Sequence, residues 1–599
     1  MSKIKILFFL FSFTLLGCQD LLERSLKDQL STGTVYKTDL DIRFALNALY
    51  RNVQGHPAHQ GNPRRSEYLY NVLTDDAINR ADAYGTTLVI TPTLVNAEDD
   101  YANRYAKIRQ INEFLVRIPQ AEENIEPSLY QRYIAEARFL RALEYDRIQF
   151  AFGDIPLITK PLQPEDVPPR NNRKDVFDWI TKELTEVAGV LPWPSEYSSG
   201  DDQFRASKGA ALTLKARHLL NGLHWYPDKD YLYREASDAA STVYNSGEYS
   251  LDPGERGFHQ LFLNNSRYGS KGTIYTVLYD REFKGHTYPR LAPKGLYSGI
   301  VGRSNGNFPG VTDVLVESFQ MLSTGKDITE PDSGYDPSNP WNDRDPRLDI
   351  TVLREGEVAP TTGAQGTAGP YTMFATHPKR IAGDTILGED VRVVNTDIIV
   401  PAGTQLTISS RDKADKGGIN RTGYHFQKYL TWLHDDNSSA DESYHILRFA
   451  EVILLYAEAA LGTGDLARAE SLVSEVRARV GMPDVATSYG RPVDIEIILN
   501  ERRFEFATEG PHRWYDIIRH NLGPEVFADS QAARGIPWGD GGKPDPRVEE
   551  GSLDDSKKRN IYTRQYDPST YNPWPFPQAA VRDNPKLLEP PVPFVEDEM

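Results

Sequence analysis

Apolar positions in this chain fall first into a helical rhythm. From Thr38 to Val53 the residues Ile42, Phe44, Ala45, Leu49 and Val53 approximate one helix face, with Thr38 and Asp39 as candidate caps. Further helices are predicted at 100–118, 126–152, 172–190, 206–223 and 231–245, each closed by Pro, Gly or a polar turn. Glu126-Pro127 opens the second of these and Gly153 and Pro156 stop it, while the alanines of "IAEARFLRALEY" let neighbouring helices approach closely. Two helix pairs follow late: "YHILRFAEVILLYAEAALGTG" with "DLARAESLVSEVRARVG", and "DIEIILNERRFEFATEG" with "PHRWYDIIRH". Such pairs joined by short turns predict a mainly α chain, a tetratricopeptide-like αα-hairpin superhelix, although no 34-residue self-similarity accompanies the periodicity.

Between residues 250 and 440 the rhythm is lost. Gly, Pro, Asn and Asp are frequent there, and short β-prone runs such as "TIYTVLY" and "DIIVPAGTQLTI" stand without helical period, which predicts a loop-rich, partly β region. The tail from Ile536 is irregular too. Its "NPWPFP", with Trp574, Phe576 and three prolines, predicts a segment held against the body rather than a free end.

The first residues obey a different logic. Lys3 and Lys5 precede a mostly apolar run from Ile6 to Leu16, then Gly17 and the only cysteine of the 599 residues, Cys18. One thiol supports neither a disulfide nor a cysteine metal site. Leu15-Leu16-Gly17-Cys18 resembles a bacterial lipobox, so residues 1–17 read as a lipoprotein signal peptide and Cys18 as the acylated residue. The apolar run is too short for a permanent span, and acyl chains contribute about 0.8 kcal/mol per buried CH₂, so the chain is expected to be anchored to a membrane through lipid. Removing residues 1–17 takes away two lysines and no acid, leaving 65 basic against 85 acidic side chains. That field disfavours nucleic acid as a partner. With 39% hydrophobic and 25% charged residues the composition is that of a folded protein.

Chemistry-bearing residues have structural readings beside functional ones. Glu136 and Arg138, Glu451 and Glu458, and Glu501 and Arg502 lie on predicted helices beside apolar faces, where acids pair with arginines of the same or a neighbouring helix. Glycoside hydrolysis needs two carboxylates about 5 to 9.5 Å apart, and 85 acids offer many pairs that composition does not sort. No nucleophile elbow, phosphate loop or zinc-binding His-Glu-x-x-His run is visible. His512, in "EGPHRWYD", reads as a surface or packing residue. Asp343, Asp345 and Asp349 of "NDRDPRLD" have oxygens that suit Ca²⁺, but the spacing departs from the calcium-loop pattern and favours a charged turn. No cofactor and no metal is expected.

Several dispersed motifs, in order, resemble the SusD/RagB family of nutrient-binding outer-membrane lipoproteins. Thr74-Asp75-Asp76 is similar to the family's acidic pair after the first helix, and "YANRYAKIRQINEFL" to an early family helix through Tyr101, Tyr105, Ile108 and Asn112. "AEARFLRALEYDRIQFAFGDIPLI", residues 135–158, is the most specific stretch; "VLVESFQMLSTGKDI", "NDRDPRLDITV", "LRFAEVILLYAEAAL", "VRARVGMP", "ILNERRFEFATEGPHRWYDIIRH" and "NPWPFPQAAVRDNPKLL" follow. Departures are Tyr101, where the family has tryptophan, and the ending "EPPVPFVEDEM". The resemblance implies a SusD-like organisation: signal peptide 1–17, N-terminal helical region 18–250, irregular ligand-binding insertion 251–440, C-terminal helix pairs 441–530, and an irregular segment 531–599 strapped on the body.

The resemblance also implies a non-catalytic lipoprotein of the outer membrane, facing the cell exterior, that binds oligo- or polysaccharide and delivers it to a SusC-like TonB-dependent transporter. Capture of peptides or glycopeptides on the same scaffold is the alternative, and a surface glycoside hydrolase a third reading. Sugar recognition needs flat aromatic faces and planar polar groups on exposed loops. By the same resemblance the site is drawn from the loop after Asp76, with Arg80 and Tyr84, and from the stretch before "VTDVLVESFQ", with Tyr288, Tyr297, Asn307 and Phe308; Trp341 is the nearest tryptophan of the insertion. With Tyr84 as its only aromatic, the first loop lacks the wide aromatic arc suited to starch.

Overall fold

The computed structural model describes residues 36–53, 69–78, 95–197, 202, 204–262, 270–279, 310–337, 339–354, 391–392, 399–400, 424–429, 442–527, 532–535, 559–563 and 566–595. Among them the principal helices are α1 (Asp39–Val53), α2 (Val95–Arg117), α3 (Pro127–Phe152), α4 (Arg173–Val190), α5 (Lys208–Asn221), α6 (Lys229–Tyr244), α7 (Phe449–Gly462), α8 (Leu466–Arg479), α9 (Ile495–Phe506), α10 (His512–Arg519) and α11 (Gln578–Asp583). The strands that matter below are β1 (Ala77–Ile78), β2 (Thr273–Val277), β3 (Gly310–Val311), β4 (Val352–Arg354), β5 (Tyr424–Phe426) and β6 (Tyr444–Arg448).

Local signals set the helix ends. The Glu126 carboxylate accepts from the Ser128 and Leu129 amides and Pro127 takes the first turn, so α3 starts there; Gly153 ends it at φ 74°. Ser207, Asp228, Asp465 and Asp494 cap α5, α6, α8 and α9 by accepting an amide of the first turn. On α3, Ala135, Ala137, Ala142 and Ala151 are buried, and their small side chains let α4 and α2 pack close on either side.

Successive helices stack: α3 on α4, α4 on α5, α5 on α6. The stack then continues from α6 directly onto α7, with residues 245–448 intervening in sequence, and on through α8 and α9. Each hairpin leaves one apolar face open and the next hairpin covers it, which is the physics of a tetratricopeptide-like superhelix. The chain is mainly helical, as its periodicity predicts.

One predicted helix is shorter than its pattern. Residues 444–464 read as a single helix, but Tyr444–Arg448 form β6, antiparallel to β2 with Thr276 opposite His445 and Val277 opposite Tyr444. All five β6 residues are buried. With apolar contacts on both faces and the β-prone "TIYTV" offering ladder bonds on one edge, this segment gains more as a strand; α7 begins at Phe449, whose amide donates to Gly272 at 2.9 Å.

The charged motifs on helices are paired, as predicted. Glu136 accepts from Tyr50 at 2.8 Å and Arg205 at 3.0 Å, Arg138 donates to Glu183 at 2.5 Å, and Arg217 of α5 donates to Glu451 of α7 at 2.6 Å. Glu458 accepts from Arg519 at 2.5 Å, Glu501 from Arg347 at 2.6 Å and Arg477 at 3.1 Å, and Arg502 donates to Asp516 at 3.1 Å.

The tail lies on the helical body. Tyr571 donates to the Leu73 carbonyl at 2.6 Å and the Trp574 amide to Ala151 at 2.7 Å. The Trp574 ring is buried among Phe152, Tyr70 and Trp514, with centroids 5.4 to 5.9 Å away. Val592 exchanges backbone bonds with Arg170 and Asn172 at 2.8 and 3.0 Å.

Candidate functional site

The acidic pair of Thr74-Asp75-Asp76 is held by arginines of two late helices. Arg513, at the start of α10, grips Asp75 in a two-pronged contact, Nε to Oδ1 at 2.9 Å and Nη2 to Oδ2 at 3.0 Å. Arg503 on α9 reaches both acids, at 2.9 Å from Asp75 and 2.6 Å from Asp76. Burial would raise the Asp75 pKa, but the two guanidinium groups override it and hold the carboxyl well below the usual carboxylate range. Both acids are therefore committed to anchoring.

Immediately after this anchor the chain forms β1, paired antiparallel with β3: Ala77 faces Val311 and Ile78 faces Gly310. Thr312 reinforces the pairing, its amide donating to the Asp76 carbonyl at 2.9 Å and its hydroxyl to the Asp75 carbonyl at 2.5 Å. The same hydroxyl accepts from Leu315 at 3.3 Å and caps the short helix Asp313–Ser318. The chain thus leaves Ile78 for the segment beginning at residue 79 and returns at Gly310 from the segment ending at 309, side by side.

A second pair lies against the first. β4 runs antiparallel to β5, with Val352 opposite Phe426 and Arg354 opposite Tyr424, and β5 packs beside β3. Lys428, just beyond β5, is buried and donates to Glu509 at 2.7 Å and to the Glu505 carbonyl at 2.9 Å; burial pulls its pKa down to about 8 despite those acids. Four strands thus hold the ends of the segments that follow Ile78, precede Gly310, and connect Arg354 to Tyr424.

Of the candidate ligand-binding residues read from the sequence, Trp341 is within the described residues. It is half-buried against the core and meets Tyr424 edge-on, centroids 6.2 Å apart at 78°. Arg80, Tyr84, Tyr288, Tyr297, Asn307, Phe308 and Cys18 lie outside the described residues. In sequence, Arg80 stands two residues beyond Ile78, and Asn307 and Phe308 stand three and two before Gly310.

The motif "NDRDPRLD" is a structural crossing. Asp345 binds Arg347 at 2.7 Å and accepts its amide at 3.0 Å, Arg347 continues to Glu501 at 2.6 Å, and Arg344 donates to the Val316 and Phe319 carbonyls at 2.8 Å. Asp343 accepts from Ser323. Among the described residues no group of three or more His, Cys, Asp or Glu side chains is arranged to hold a metal ion. His512 is a packing residue: it is buried and stacks on Phe506 with centroids 4.4 Å apart, and burial together with Arg217 pushes its pKa well down.

Sequence reasoning missed Thr312, Arg503 and Arg513 as parts of this frame. The Thr-Asp pair at 312–313 is an N-cap signature and was a readable signal; the partnership of Arg513 with Asp75 spans 438 residues and had none.

Comparison with known proteins follows the same lines. Residues 273–592 match the model of the SusD family, and residues 24–220 match a second model described as starch-binding associating with outer membrane. The chain is 24% identical to SusD-like protein P38 of Formosa agariphila over 541 residues, covering 85% of this chain and 90% of that protein. It superposes on the crystal structure of a SusD-like carbohydrate binding protein from Bacteroides fragilis with TM-score 0.71 at 23% identity, covering 92% of this chain and 99% of the other. A laminarin binding SusD-like protein superposes with TM-score 0.57 at 21% identity, over 82% and 94% of the two chains. With residues 273–592, more than half of the sequence, matching its model, the chain belongs to the SusD family.

Proposed function

We propose that this protein is a non-catalytic glycan-capturing lipoprotein of the outer membrane, acylated at Cys18 and facing the cell exterior. It binds an oligo- or polysaccharide and passes it to a SusC-like TonB-dependent transporter. The observation that carries this reading is the common frame of β1, β3, β4 and β5: it brings together the ends of the segments that contain Arg80 and Tyr84 on one side and Tyr288, Tyr297, Asn307 and Phe308 on the other, beside Trp341. The aromatics serve as stacking faces and Arg80 and Asn307 as hydroxyl partners. The names of its relatives, carbohydrate binding and laminarin binding, support the same class of ligand. Asp75, Asp345, Glu501 and Glu505, near the frame, are bound to arginines, which supports binding without hydrolysis.

The test is glycan-array and affinity-gel screening of the chain lacking residues 1–18, with a peptide library as control. Retention by a glycan, without release of sugar product, is the expected result. Tyr84→Ala and Tyr297→Ala should each weaken that retention roughly 3- to 10-fold, the loss of about one stacking contact. Retention by peptides and by no glycan overturns the ligand class, and released product overturns the non-catalytic reading.

A further inference from the structure

Several arginine forks in this chain close on carboxylates. The edge formed by Nε and Nη2 grips Asp75 from Arg513, Asp345 from Arg347 and Glu451 from Arg217. Arg173, the first residue of α4, departs from that pattern: its Nε and Nη2 are buried and bonded to no group among the described residues. The guanidinium lies over the Trp225 ring, 4.3 Å from the centroid, a contact that uses its flat face and leaves the edge available. Asp154 acts on Arg173 through its charge, yet its Oδ1 accepts the Arg173 backbone amide at 2.7 Å and its Oδ2 lies 3.6 Å from Arg170. Burial outweighs that acid and pulls the Arg173 pKa down to about 9, so the group is charged at neutral pH and short of an anion.

Two more polar atoms converge on this place. His224, in the turn after α5, has a buried Nδ1, and Asn572 of the tail a buried Oδ1, neither bonded among the described residues. Asn572 donates through Nδ2 to the Phe150 carbonyl at 2.7 Å, which commits its nitrogen side to the end of α3, and it lies close enough to His224 to favour the protonated ring. Burial, then the charges of Arg173, His520 and Lys229, prevail and push the His224 pKa down to about 3, so the ring is neutral in a positive field. A side chain at Gly153 would meet Pro573 at 3.3 Å and the Arg173 side chain at 3.9 Å, so α3, α4 and the tail meet there closely. Pro573 is exposed and His224 and Trp225 are half-buried, which puts the cluster just beneath the surface.

We propose that Arg173, His224 and Asn572 form a site for a small oxyanion that keeps a hydroxyl, two of its oxygens in the Arg173 fork and its O–H donating to Asn572 Oδ1. The neutral His224 ring gives or takes one further hydrogen bond according to its tautomer. Phosphate and hydrogencarbonate have this chemistry at neutral pH, and sulfate, which carries no proton there, sets a bare anion against the Asn572 oxygen. The bound ion would staple the tail to the ends of three helices, whatever glycan the protein captures.

Thermal melting at fixed pH and ionic strength tests the site, with Arg173→Gln reporting the general effect of each salt. Phosphate or hydrogencarbonate should raise the melting temperature saturably, by about 2 °C at roughly ten times the dissociation constant, and sulfate should need a concentration about tenfold higher. The shift should vanish in Arg173→Gln and persist in Lys174→Gln, which removes the adjacent exposed cation. Equal shifts with sulfate, no shift with either hydroxyl-bearing anion, or a shift that survives Arg173→Gln overturns the proposal. If Arg173→Gln does not fold, His224→Phe carries the test: the half-saturating concentration should rise about 3- to 10-fold, the loss of one hydrogen bond, and an unchanged value overturns the proposal.

Discussion

Asp75 shows what a buried charge does for the frame of the candidate site. Its carboxylate meets both Arg503 and Arg513, and replacing it with asparagine leaves two buried guanidinium groups short of an anion. Breaking such a contact costs about 3 to 5 kcal/mol. Asp75→Asn should therefore lower the free energy of unfolding by an amount in that range in denaturant titrations. Ligand retention should fall with it, because the backbone that anchors β1 loses its support. A second residue, His445, sets a pH limit. Burial pushes its pKa down to about 4, so the folded protein keeps the ring neutral while the unfolded chain protonates near 6.5. Above pH 6.5 this group has no effect on the pH dependence of stability. Between pH 6.5 and about 4 only the unfolded state takes up the proton, so stability falls as pH falls, by roughly 1.4 kcal/mol per pH unit from this one ring. His259, also lowered to about 4 by burial, acts in the same direction. Melting temperatures measured from pH 7.5 to 4.5 should decline through this window, and less steeply in His445→Gln.

Among the elements, those whose signals are local were legible in the sequence and those decided by distant partners were not. α3 was readable because its cap, its first-turn proline and its terminal glycine all lie within the helix or next to it. β6 was misread because nothing within Tyr444–Arg448 reports the β2 edge that captures it. The same division holds in the candidate site. The sequence motif drew attention to Thr74-Asp75-Asp76, but the guanidinium groups that explain the acids come from α9 and α10, hundreds of residues away. The passage of the stack from α6 to α7 is likewise invisible to periodicity, since residues 245–448 stand between them. Arg217 tests that junction: it bridges α5 to Glu451 of α7 at 2.6 Å and to the Ile446 carbonyl at 2.7 Å. Arg217→Ala should destabilise the protein by about 3 to 5 kcal/mol, leaving Glu451 buried without its cation. Chemical denaturation should show the early and late helices melting together in the parent protein and separating in this variant.

At the scale of the whole molecule, a helical stack carries four short paired strands, and the proposed tether at Cys18 sets where the assembly stands. Fatty-acid labelling in cells of the native type should mark the parent chain and be lost in Cys18→Ala, with the unlabelled chain released from the membrane fraction; label retained by the variant would refute the anchor. The paired strands have a further consequence for how such a protein diverges. Where β4 meets β5, the departing strand lies within about 5 Å of the returning one, so the segment between Arg354 and Tyr424 begins and ends at nearly the same point. Closing a longer excursion costs only about 0.6 kcal/mol per doubling of its length. Insertions and replacements there leave the helical stack untouched, so that segment behaves as an exchangeable cassette, and a lineage can rewrite it while inheriting the frame unchanged.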